Sequence, residues 1–175
     1  MSEPAGERSS EPATGTAAVI EGALAEGGLD FSSPQPGAYL VSLPGTHKLV
    51  TGCWLVVGQH SLLVEAFVMR RPDEGFERLY NLLLTRNTRT YAVSWALDGN
   101  GDVFLVGRLP LGGITADEVD RILGSVLTYA DTTFDLLLEL GFASSIRREW
   151  EWRSRNGESL ANLAAFARFA DPARD

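Results

Sequence analysis

Apolar residues recur along this chain with two different periods, and the switches between them mark its elements. Around "THKLVTGCWLVVG", Leu49, Thr51, Cys53, Leu55 and Val57 alternate with Val50, Gly52, Trp54 and Val56. Both sets are largely apolar, so the pattern predicts a central strand covered on both faces. "AYLVSL" precedes it as a shorter strand, turned at Pro44-Gly45, and "LLVEAFVMR" returns after the turn "GQHS" at 58–61. Pro72 stops this series. A helix follows, with Phe76, Leu79, Tyr80, Leu83 and Leu84 at helical spacing, Asp73 as its expected cap and Asn87 near its end. Period two then resumes in "TYAVSWAL", where Tyr91, Val93, Trp95 and Leu97 alternate with smaller residues, and "VFLVGRLPL" completes a second hairpin.

The firmest pattern is a long helix. Thr115 and Glu118 stand as a capping box, and Asp117, Glu118 and Asp120 complement the positive end of the helix dipole. Apolar positions 119, 122, 123, 126, 127, 130, 134, 137, 138 and 140 carry it to Gly141, with a break expected near Thr132-Thr133. "SSIRREWEWRSR" suits a further helix, since Ile146 and Trp150 are four apart, and Ser159 opens a last amphipathic segment with Leu160, Leu163, Phe166 and Ala167 inward. At the other end, Thr14 or Thr16 caps a helix running to about Glu26, closed by Gly27-Gly28, and "SSPQPG" reads as a connector. The expected organisation is a disordered tail over 1–15, an α+β domain over 16–158 and an amphipathic helix or tail over 159–175. Within the domain, a five-stranded antiparallel sheet packs against helices in the order α-β-β-β-α-β-β-α.

Charge narrows the range of partners. The 175 residues carry a formal net charge of −8, which gives no general attraction to nucleic acid or acidic membranes. The acid is local: residues 1–36 and 116–141 each hold six acids and one base. One cysteine, Cys53, excludes an internal disulfide and suits a reducing compartment. With no signal-like start and no apolar run of membrane-spanning length, a cytoplasmic location is expected.

Candidate chemistry is sparse. In "DGNGD", Asp98, Asn100 and Asp102 imitate the first ligands of a calcium loop, but Val103 and Leu109 stand where that loop needs glycine and a bidentate glutamate. The stretch reads as a hairpin turn. His47, Cys53 and His60 are spaced unlike any zinc module, no phosphate-cradling motif occurs, and the helix-borne carboxylates read as solvated faces. No cofactor, metal or catalytic residue is therefore assigned. The pairs Arg70-Arg71, Arg86 with Arg89, and Arg147-Arg148 read as partners neutralising the acidic helix. Tryptophan and arginine outside the clear core are what protein interfaces are anchored by, so Ile146, Arg147, Arg148, Trp150 and Trp152 are the candidate partner-binding residues. A homodimer is the simplest case. The alternative is a small-molecule pocket between sheet and long helix lined by Trp54, Tyr91 and Trp95.

Three phrases carry a wider resemblance: "HSLLVEAFVMRRPDEGFERLYNLLLTRN", "YAVSWALDGNGDVFLVGRLPL" and "DRILGSVLTYADTTFDLLLELGFASSIRREWEWR". Over roughly residues 17–160 the chain resembles the YbjN-domain family in its actinobacterial form. The resemblance implies a type III secretion chaperone-like fold, a regulatory role, and kinship with small acidic dimers that bind partner polypeptides. It brings no catalytic residues. Both lines of reading converge on a non-enzymatic binding or regulatory protein.

Overall fold

The computed structural model describes residues 11–170. Residues 1–10 of the expected disordered tail, and 171–175, lie outside the described residues. Helix α1 (Glu11–Glu26) starts a turn before Thr14 and ends against Gly27 and Gly28, as expected. Strands follow: β1 (Asp30–Gln35), β2 (Ala38–Pro44), β3 (Val50–Val57) and β4 (Ser61–Met69). After α2 (Phe76–Arg86) come β5 (Ser94–Leu97), β6 (Val103–Pro110) and α3 (Ala116–Asn156). A 3₁₀ segment (Ala161–Phe166) and a short helical turn (Ala167–Ala170) close the described chain.

The strands form one antiparallel sheet in the order β1-β2-β3-β4-β6-β5. It has six strands where five were expected, because "DFSSPQ" pairs with β2. Pro34 is tolerated there because β1 is an edge strand, where a missing amide donor need break no second ladder. β5 is shorter than "TYAVSWAL" promised. Ala92 sits in the left-handed region at φ 63°, which breaks the strand before Ser94.

Register decides what faces the helices. Phe31, Val41, Cys53, Ala66, Leu105 and Trp95 form a row of partners across all six strands. The last five are buried, under Ile20 and Leu24 of α1, Leu79 and Leu83 of α2, and Val119, Ile122, Val126 and Leu137 of α3. A bulge between Phe67 and Met69 turns both Val68 and Met69 into this core.

Thr115 caps α3 by accepting a 3.2 Å hydrogen bond from the Glu118 amide. Glu118 does not close the box back onto Thr115; its carboxylate takes Arg121 and the Tyr91 hydroxyl instead. The break expected at Thr132-Thr133 is absent, and Gly141 does not end the helix. The helix kinks at Phe142 (φ −142°, ψ 19°) and runs on to Gly157. The kink has named causes. The Gly141 carbonyl leaves the helical ladder to accept from the Asp73 and Glu74 amides, and Glu74 caps the resumed helix by accepting from the Ser144 amide at 2.6 Å. Asp73 therefore does not cap α2, whose cap position is Gly75; it binds Arg70 and Ser145.

Candidate functional site

Among the described residues, every helix contact with the sheet's core is made on one face. The opposite face carries a second full row, Ser32, Leu40, Trp54, Glu65, Val106 and Ser94, flanked by Val56 with Leu63 and by Phe67 with Phe104. Leu40, Trp54, Val56, Leu63, Phe104 and Val106 are only half-buried, and Phe67 and Val50 are 43% and 54% exposed. This corrects the reading of β3 as covered on both sides. Its second apolar face belongs to a surface that the fold leaves open, and contiguous apolar patches of this kind mark interaction sites. Phe67 and Phe104 pack edge to face at 5.4 Å. Glu65 and Arg108 are charged groups in the middle of this field, with Asp98 at its β5 edge, and neither Glu65 nor Arg108 is in an ion pair among the described residues.

Beside Phe67 the face runs into an apolar groove of about 700 Å³. Phe134, Leu138 and Phe142, four residues apart on α3, form one wall, and Leu163 and Phe166 of the C-terminal segment form the lip. Lys48, the chain's single lysine, lies with its ammonium 5.8 Å from the Phe67 ring centre and 5.2 Å from that of Phe134. Burial lowers its pKa from the ordinary value. The loop that carries Lys48 is clamped to α3. The amides of Thr46, His47 and Lys48 all donate to Asp131 Oδ1, at 2.8, 2.7 and 2.9 Å. Desolvation pushes the Asp131 carboxyl up, but those amides and the His47 imidazole outweigh it and hold the group below its ordinary value. His47 Nδ1 adds a 2.7 Å contact to Asp135.

The five residues singled out for partner binding divide between two sides of the resumed helix. Ile146 and Trp150 are buried, Ile146 lining the groove and Trp150 joining the core cluster that also holds Phe166. Arg147, Arg148 and Trp152 face outward, Trp152 being 54% exposed. The proposed pocket of Trp54, Tyr91 and Trp95 does not form, because register puts Trp54 and Trp95 on opposite faces of the sheet. The arginine pairs also differ from expectation: Arg70 binds Asp73, but Arg86 and Arg89 have no carboxylate partner among the described residues.

"DGNGD" is a turn between β5 and β6, closed by the Asp98 amide donating to the Asp102 carbonyl, with Gly101 at φ 87°. Desolvation raises the Asp98 carboxyl, yet the amides of Asp102 and Asn100 more than offset it and hold it low. Asp98 is thus occupied in shaping the loop. His47 and His60 sit at opposite ends of β3, with Cys53 buried between them.

Comparison with known proteins agrees with this architecture. Residues 16–139 match the YbjN family model, described as "Putative bacterial sensory transduction regulator". The uncharacterized protein Rv0487 of Mycobacterium tuberculosis is 53% identical over 154 residues, covering 85% of this chain and 84% of that protein. The uncharacterized protein ML2442 of Mycobacterium leprae is 49% identical over 162 residues, covering 90% and 88%. Among solved structures, a chain of the ExsC-ExsE complex superposes with a TM-score of 0.52 at 19% identity, covering 73% of this chain and 96% of its own. A chain of the heterodimeric ExoU-SpcU complex from the type III secretion system of Pseudomonas aeruginosa gives 0.50 at 17%, covering 71% and 98%. The chain belongs to the YbjN family and has a type III secretion chaperone-like fold.

Proposed function

We propose that this chain is a non-enzymatic, chaperone-like adaptor of the cytoplasm that binds protein partners and works as a homodimer. The working unit is residues 16–158, with the segment from 159 supplying the outer lip of the groove. The observation that carries the reading is the uncovered apolar sheet face that runs into the groove. A broad apolar face of this kind suits a second copy of the same face. Glu65 and Arg108, without an ion pair among the described residues, are self-complementary under a two-fold axis, where each would meet the other's opposite charge. The groove is narrower, and its aromatic walls with a desolvated lysine suit the apolar side of a partner segment that brings one carboxylate. Solved complexes of the same fold point to protein binding as the class of activity.

Phe67 stands where face and groove meet, so benzoylphenylalanine in its place reports on both. Purified protein should crosslink to twice the 19.0 kDa chain mass. In cells, a further polypeptide adduct should form and be abolished by Leu138→Glu in the groove. Irradiation that yields no polypeptide adduct in either setting would overturn the proposal.

A further inference from the structure

Three buried side-chain polar atoms among the described residues lack a hydrogen-bond partner: Thr51 Oγ1, Arg86 Nε and Thr133 Oγ1. Leaving such a group buried and unpaired forfeits its hydration without return, so an unpaired donor calls for a partner. Two of the three belong to residues that line one cavity of about 350 Å³, shared by Arg86, Arg89, Thr90, Trp95, Tyr129 and Thr133. It lies between the end of α2, the edge strand β5 and the middle of α3, on the core side of the sheet. It is therefore distinct from the open face and independent of the dimer reading.

The cavity is rich in donors and poor in acceptors. Thr133 is fully buried at 0% exposure, yet it lacks the back-bond to the preceding turn that its neighbour Thr132 makes to the Thr128 carbonyl at 2.6 Å. Tyr129 Oη accepts from the Tyr91 amide at 2.9 Å, which leaves its own proton free to be donated. Arg86 and Arg89 bring two guanidinium charges, and among the described residues no carboxylate lines the space. In a chain with net charge −8, two adjacent arginines without an acid stand out. The walls are held in place: Asn87 accepts from the Trp95 amide at 2.7 Å and donates to its carbonyl, pinning β5 to the end of α2. Trp95 adds a flat apolar surface.

We infer that this cavity is a binding site for a small organic anion, its carboxylate or phosphate held by Arg86, Thr133 and Tyr129 and its apolar part laid against Trp95. The volume is at the small end of ligand pockets, which fits a metabolite and excludes a polymer. An anion of this kind satisfies the orphaned donors, so binding stabilises the folded chain and ties α2, β5 and α3 together.

Benzoate and inorganic phosphate are the probes, each titrated to about 10 mM into the full chain, well above a millimolar Kd. Benzoate should raise the melting temperature and shift both the Arg86 Nε–H and the Trp95 indole N–H resonances. Arg86→Gln should weaken benzoate about tenfold or more, as loss of a charge-assisted hydrogen bond implies. Thr133→Val keeps shape and removes only the orphaned hydroxyl. It should fold with unchanged or raised stability and weaken benzoate about fivefold. Overturning results are an absence of response to both probes, a response to phosphate alone, or benzoate affinity unchanged in a folded Arg86→Gln protein.

Discussion

Removing the Asp131 carboxylate should loosen the groove without touching its apolar walls. Three amides of the 46–48 loop converge on one oxygen at 2.7–2.9 Å. A hydrogen bond to a charged group contributes about 1.5–3 kcal/mol. These three share a single acceptor in a part-exposed loop, so water recovers much of the loss, and about 2 kcal/mol is the expected cost of Asp131→Ala. For a chain of this size each kcal/mol moves Tm by about 2–4 °C, giving a drop of about 4–8 °C. The pH dependence carries its own sign. The folded carboxyl titrates below its ordinary value, so its contribution is present above the unfolded pKa near 4 and is lost as pH falls through the folded one. The gap between wild type and Asp131→Ala should be widest near neutral pH and close on acidification from about pH 5 to pH 2. Circular-dichroism melts across that range provide the assay. A variant melting within about 1 °C of wild type at pH 7, or a gap that ignores pH, refutes the clamp.

Two further outcomes follow from close packing. A Cβ at Gly107 would stand 2.1 Å from the carbonyl oxygen of Ala92, itself held at positive φ, so Gly107→Ala should cost about 3 kcal/mol by urea unfolding, and a cost under about 1 contradicts that geometry. Burial pushes the Cys53 thiol up to about 12, so a disulfide reagent should label it only as the protein unfolds; prompt labelling of the native chain would show that the core is open there.

The elements were largely legible because alternation and helical spacing are local. "DGNGD" as a turn, Thr115 as a cap and the apolar stripe of α3 needed only neighbours in sequence. What escaped depends on distant contacts. β1 was hidden by Pro34 and Pro36, which forbid a central strand but not an edge. Gly141 looked like a terminator, yet the helix continues because Asp73 and Glu74 take over its carbonyl and Glu74 caps the next turn. Two apolar sets in β3 read as double coverage, when one of them lines an open face; alternation alone cannot distinguish a second layer from a partner. Trp54 and Trp95 alternate alike in their own strands, and only the register through β4 and β6 places them on opposite faces. The groove had a signal, Phe134, Leu138 and Phe142 at four-residue spacing, but a glycine between them broke the pattern. Arg86 and Thr133 meet only in the folded chain.

Sedimentation equilibrium tests the central claim most directly, on wild type, Glu65→Arg and the swap Glu65→Arg/Arg108→Glu. These residues lie on the open face, away from the core, so all three proteins should fold alike. The account predicts a dimer for wild type, a shift toward monomer for the single reversal, and a restored dimer for the swap. A wild type that stays monomeric at all concentrations, or a dimer indifferent to Glu65→Arg, contradicts it.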